Sequence, residues 1–192
     1  MRPLLIDRDD GNYRRSMKNT LPSVTEAEES GDPPSGADIS LPDVFSKPVF
    51  SFMIIQAARL HEITTSVFKS AGCSTAEAER IAKHLVEANL VGHDSHGVIR
   101  TSSYLRWMKA GQVLADRQLQ IMFENEAIAV VDGQFGSGQT VGEQAMELGI
   151  AKAARHGVAV IALRNAGHLG QIGVWPLMAS QAGKLSVYSR AP

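Results

Sequence analysis

Cysteine occurs once in the 192 residues, at Cys73. That excludes an internal disulfide framework and any cluster of thiolate metal ligands, and it fits a reducing compartment. Charge of neither sign dominates: 19 Lys and Arg stand against 20 Asp and Glu, for a net charge of −1. With no basic stripe, nucleic acid is not an expected partner. No apolar run approaches membrane-spanning length, so a membrane is not expected as a partner either. The opening MRPLLIDRDDGNYRR reaches only three consecutive apolar residues before charges intervene, too few for a secretory signal. These absences make the cytoplasm the expected location. Hydrophobic residues make up 44%, enough for a buried core of ordinary globular type.

Proline is concentrated at one end, with six of the eight (positions 3, 22, 33, 34, 42 and 48) in the first 48 residues. The same region contains TEAEESGDPPSGAD, which has neither helical nor strand periodicity, so residues 1–50 read as a disordered extension. Residues 51–112 read as a helical segment. A first helix carries Ile54, Ala58, Leu60, Ile63, Val67 and Phe68 at helical spacing and stops at Gly72. A second opens on Ser74 and Glu77 in capping-box spacing, buries Ala78, Ile81, Ala82, Leu85 and Ala88, and ends at Gly92. Asn89 lies on that buried side and reads as exposed at a frayed last turn. A third helix is expected over VIRTSSYLRWMKAG, entered through the junction VGHDSHGVIR and closing at Gly111.

Residues 113–192 read as a partial α/β domain. After a polar connector, AIAVVDG predicts a short buried strand with a turn at Asp132-Gly133. Thr140 and Glu143 have capping-box spacing for a helix ending before Gly157. VAVIAL (158–163) predicts a β-branched buried strand, RNAGHLGQIG a glycine-rich loop, VWPLMASQAG a helix, and LSVY the start of a last strand. That order implies an α/β fold with parallel strands behind a small helical unit.

The chemistry-bearing residues concentrate in VGHDSHGVIR, residues 91–100. His96, Arg100 and Tyr104 are four apart, so a helix beginning near Ser95 stacks a proton donor, a cation and a phenol on one face. Such a set suits a small anionic substrate: a guanidinium grips a carboxylate bidentately while an imidazole one turn away exchanges a proton with a carbonyl or hydroxyl. A solvated helix face capped by Ser95 is the structural alternative. Asp94, Ser95 and His96 do not make a hydrolytic triad, because helix neighbours do not face one another and no Gly-x-Ser-x-Gly elbow is present. His93 and His96 lack a third metal ligand, and no metal site is expected. His168 follows a buried strand, at the edge where α/β sheets bind ligands. Around it Gly167, Gly170 and Gly173 allow close backbone approach, and the next helix is expected to offer its N-terminal amides to a phosphate. The Gly-x-Gly of GQFGSGQ reads as a turn.

Taken in order and spacing, LVEANLVGHDSHGVIRTSSYLRWMKAGQV, VDGQFGSGQTVGEQAM and RNAGHLGQIGVWPLMASQAG resemble the malate/L-lactate dehydrogenase-type oxidoreductases. This family has its own NAD(P)-binding fold, unrelated to the Rossmann dehydrogenases. The likeness runs from about Phe52 to Val187, and DSHG with Arg100 and Tyr104 is its most specific element. The resemblance implies an N-terminal helical segment followed by the start of a βαβ-layered NAD(P)-binding domain. It implies a cytoplasmic oxidoreductase that passes hydride between NAD or NADP and a small 2-keto or 2-hydroxy acid, homodimeric in full-length relatives. By resemblance His96 is the acid that protonates the substrate, Ser95 its relay partner, and Arg100 and Tyr104 substrate-binding residues. His168, Leu169, Gly170, Gln171 and Ile172 line the cofactor; some members carry the general base at the position of His168 instead. Relatives extend far beyond this sequence, so a truncated product is expected. The alternative function is then an inactive remnant that acts as an interaction module with full-length relatives.

Overall fold

The computed structural model describes residues 5–7 and 54–189. The chain divides into two units, Met1–Ile55 and Gln56–Pro192. At the start of the first, β1 (Leu5–Asp7) pairs with β2 (Ile54–Gln56) in a two-stranded sheet. The rest of the extension expected over 1–50 lies outside the described residues.

The second unit begins with α1 (Ala57–Ser70), which starts after β2 rather than running through Ile54. Its inward side is Leu60, Thr64 and Phe68, one residue every four, while Ile63 faces outward. Next, α2 (Thr75–Leu90) is capped as its sequence specifies: Ser74 Oγ accepts the Glu77 amide. The Glu77 carboxylate does not close the box. It is buried and accepts instead from the Asp116 amide and from Thr140 Oγ1 at 2.9 Å, tying α2 to two later segments. Burial pushes the Cys73 thiol beside it up to about 12, which leaves this cysteine inert.

The third helix is α-helical only from Thr101, and the start near Ser95 that would stack His96 on its face does not form. Asp94–His96 and Val98–Arg100 are separate 3₁₀ turns with Gly97 extended between them, and only α3 (Thr101–Lys109) is α-helical. The break comes from Asn89 on α2, whose side chain fills the space a Cβ at Gly97 would need and captures the Val98 amide. Asn89 is therefore not frayed: its Oδ1 accepts the Val98 amide at 2.8 Å and its Nδ2 donates to Asp94 at 2.6 Å.

Beyond α3, β3 (Gln120–Glu124) pairs antiparallel with β4 (Ile128–Gly136), and β4 pairs parallel with β5 (Val160–Ala166). The sheet order is β3-β4-β5. The polar connector thus contains a strand, and β4 continues through Asp132-Gly133 instead of turning there. Helix α4 (Gly138–His156) covers one face of the sheet, its Ala145 clustering with Ala129 and Val131, with Ile161 and Leu163 packed alongside. It opens at Gly138 behind Ser137, not at Thr140, whose hydroxyl is committed to Glu77. A last helix, α5 (Val174–Gln181), buries Trp175. The strand expected at LSVY does not form, and Leu185 and Val187 are 98% and 93% exposed.

Candidate active site

Both strands that bracket α4 end at the same place. The β4–β5 register shifts between Asp132 and Gly136, where Gln134 and Phe135 take left-handed conformations, and Gly136 then accepts the Gly167 amide at 2.8 Å. A Cβ at Gly167 would lie 2.8 Å from the Gly136 oxygen, and one at Gly138 would clash with the His168 carbonyl. Backbone therefore rests on backbone, and the start of α4 is locked to the loop after β5. That contact delivers His168 to the helical segment.

There the His168 ring stacks on His96, with centroids 5.3 Å apart and planes at 27°. Ser95 serves two neighbours: its Oγ lies 2.9 Å from His96 Nδ1, and its carbonyl accepts Arg100 Nε at 2.6 Å. The structure thus brings His96, Ser95, Arg100, Tyr104 and His168 together, by two turns and a kink rather than by one helix face. His96 is half-buried and its pKa is lowered, first by desolvation and then by the nearby His93 and Arg100. His93 packs edgewise against it at 4.6 Å. Among the described residues no group of three or more His, Cys, Asp or Glu could hold a metal ion. No helix among them is long and apolar enough to cross a membrane.

Tyr104 is buried at 6% exposure, and its hydroxyl is occupied by two partners, Gln139 Nε2 and His168 Nδ1, each at 2.9 Å. Desolvation raises its pKa, which keeps it a neutral phenol. Gln139, almost wholly buried, also accepts from Ser137 Oγ at 2.9 Å. Neither Gln139 nor Asn89 stands out in the sequence as a site residue. The only signal for Gln139 was its place just after the glycine-rich GSG, and for Asn89 its position on the buried side of α2.

The loop 168–172 forms the remaining wall. Leu169, Gln171 and Ile172 are half-buried, and Gly170 is buried at φ +71° with its amide donating to His168 Nδ1 at 3.2 Å. The start of α5 does not present free amides: Val174 and Trp175 donate to the carbonyls of Gln171 and Ile172. The expected phosphate site there is not formed.

Residues 55–189 match the malate/L-lactate dehydrogenase family. Hydroxycarboxylate dehydrogenase B of Escherichia coli strain K12 is 39% identical over 132 residues, 69% of this chain and 37% of that protein. The L-sulfolactate dehydrogenase of Methanocaldococcus jannaschii is 36% identical over 135 residues, 70% of this chain and 39% of its own. The structure of the sulfolactate dehydrogenase from M. jannaschii superposes with a TM-score of 0.65 at 37% identity, covering 67% of this chain and 38% of that one. Malate dehydrogenase from Pyrococcus horikoshii OT3 gives 0.64 at 34% identity, covering 66% and 36%. The chain thus spans a little over a third of the length of these relatives.

Proposed function

The chain belongs to the malate/L-lactate dehydrogenase family, and on that premise we propose that its site serves hydride exchange between NAD or NADP and a small 2-keto or 2-hydroxy acid. The observation that carries this reading is Ser95, which holds the His96 imidazole on its hydroxyl and the Arg100 guanidinium on its carbonyl. One residue thereby ties a proton donor to a carboxylate-binding cation. A 2-keto acid has its carbonyl next to its carboxylate, and a proton donor and a cation held by one residue suit that compact substrate.

Arg100 anchors the substrate carboxylate, which places the adjacent carbonyl against His96. NADH or NADPH bound there would supply the hydride for the carbonyl carbon. His96 gives its proton to the carbonyl oxygen, and in the reverse direction takes the hydroxyl proton back. Ser95 on Nδ1 orients the ring and sets which nitrogen faces the substrate. The loop 168–172 fits the nicotinamide end of the cofactor: Leu169 and Ile172 supply apolar walls, and Gly170 brings main chain close to His168 without a side chain. His168, Leu169, Gly170, Gln171 and Ile172 would hold the ring there.

Calorimetric titration of the 192-residue chain with pyruvate, oxaloacetate, malate and lactate tests the acid site without requiring turnover. Binding is expected, and Arg100→Lys should weaken it about tenfold, because an ammonium cannot reproduce the bidentate fork. Where NADH- or NADPH-linked reduction is measurable, His96→Ala should lower the turnover number by about a hundredfold or more while acid binding persists. A folded chain that binds none of these acids, or full turnover in His96→Ala, would overturn the reading.

A further inference from the structure

We propose that Ser137, Gln139 and Tyr104 form a directional hydrogen-bond chain that holds His168 in its Nε2–H tautomer, so that this ring presents a hydrogen-bond donor and leaves proton transfer to His96. The direction follows from two backbone groups that have no choice of role. At one end, the Gly170 amide can only donate, and it points at His168 Nδ1 from 3.2 Å. Nδ1 is therefore an acceptor, and in a neutral imidazole the proton sits on the other nitrogen.

At the other end, the His168 carbonyl can only accept, and Gln139 Nε2 lies 3.4 Å from it. Ser137 Oγ lies 2.9 Å from the other end of the same amide, Oε1. The His168 carbonyl decides which end of the Gln139 amide is nitrogen, and the Ser137 hydroxyl, free to donate or accept, gives its proton to the other end. The second N–H of Gln139 reaches the Tyr104 oxygen at 2.9 Å, so the phenol accepts there and must send its own proton elsewhere. The acceptor in reach is His168 Nδ1, also at 2.9 Å. Working inward from either end gives the same tautomer. Ser137, Gln139 and Tyr104 are all at least nine-tenths buried, so water does not compete for these positions.

Tyr104 and Gln139 are thus positioning residues acting through His168, rather than groups that touch the acid. The functional half of the proposal rests on the keto-acid reading above; the tautomer half rests on geometry alone. An Nε2–H donor can hydrogen-bond the substrate oxygen or the nicotinamide amide, but it has no lone pair at Nε2 with which to act as base. The stacking of His168 on His96 then divides the work between two rings of different kind.

Long-range proton–nitrogen NMR of the purified 192-residue chain reads the tautomer directly, with His168→Gln identifying the signal among the six histidines. Wild type is expected to show protonated Nε2 and bare Nδ1 at neutral pH. Gln139→Glu replaces the donor facing Tyr104 with an acceptor, which turns the phenol proton away from His168. The Nδ1–H share should rise about five- to tenfold, the ratio that one neutral hydrogen bond sets. Tyr104→Phe removes the same donor while keeping the ring, and should raise that share in the same direction. Predominant Nδ1–H in wild type overturns the proposal. So does an unchanged tautomer in the folded variants, and if Gln139→Glu does not fold, Tyr104→Phe decides alone. None of these signals depends on turnover, so loss of the keto-acid reading would leave them standing, and an unexpected tautomer with acid binding intact would sink only the hydrogen-bond chain.

Discussion

His84 shows how one buried residue can govern the pH response of the protein. It lies on α2 with its ring 5.3 Å from that of Trp175, and neither its Nδ1 nor the Trp175 indole nitrogen finds a hydrogen-bond partner among the described residues. Burial lowers its pKa from the ordinary 6.5 to about 4, with Lys83 and Arg80 adding to the depression and Glu143 opposing it. Above pH 6.5 the ring is neutral in both folded and unfolded chains. As pH falls from 6.5 through 4, the unfolded state takes up a proton that the folded state refuses, so stability drops across that window. A depression of this size corresponds to about 3 kcal/mol once both states are protonated. Urea denaturation at pH 7 and pH 4 should show that loss, and His84→Phe, which keeps a ring against Trp175, should remove most of it. At this scale the sequence was partly legible. Ser95, His96 and Arg100 could be singled out because three reactive side chains crowd into six positions, a density that folding does not require. Asn89 could not be placed, because whether a polar side chain at a helix end turns outward or back depends on the chain's path several residues later.

Elements were legible where their periodicity is local and obscured where a partner decides. The buried stripe of α2 and the boundaries near Gly92 and Gly157 follow from spacing and capping alone. By contrast, β3 escaped because all five of its residues are exposed, including Met122 and Phe123, so the apolar alternation that betrays a half-buried strand is absent. A start near Ser95 for the third helix fails at Gly97, where the Asn89 side chain of α2 occupies the space a Cβ would need and accepts the Val98 amide. LSVY has the composition of a strand but no neighbour to pair with among the described residues, and pairing rather than composition makes a strand. The sheet order puts β4 between two partners and, among the described residues, leaves β5 bonded on one side only. Native-state hydrogen exchange should therefore be slowest in β4 and along the inward face of α2, several-fold faster in β5, and near the unprotected rate for residues 184–189. Protection in β5 equal to that in β4 would mean that its outer edge is covered in solution.

For the second unit as a whole, α2 is the member to which the rest is fastened. Its Glu77 reaches Thr140 and the Asp116 amide, its Arg80 pairs with Glu143 on α4, and its His84 packs on α5. The tight glycines that complete this assembly fall into two kinds, and the difference has a genetic consequence. At Gly97 the obstructing atoms belong to the Asn89 side chain, whereas at Gly138 and Gly167 they are main-chain oxygens of His168 and Gly136. Alanine at position 97 can in principle be relieved by trimming its neighbour, so a second-site screen on Gly97→Ala should recover smaller residues at position 89, at the expense of the Asp94 and Val98 bonds. Alanine at 138 or 167 has no such remedy, because no substitution shortens a carbonyl. A suppressor screen on those two should return true revertants and nothing at the facing residues. The separation between Gln139 and His168 is then a dimension that sequence drift cannot adjust in small steps, and lineages carrying this site would inherit it whole or lose it.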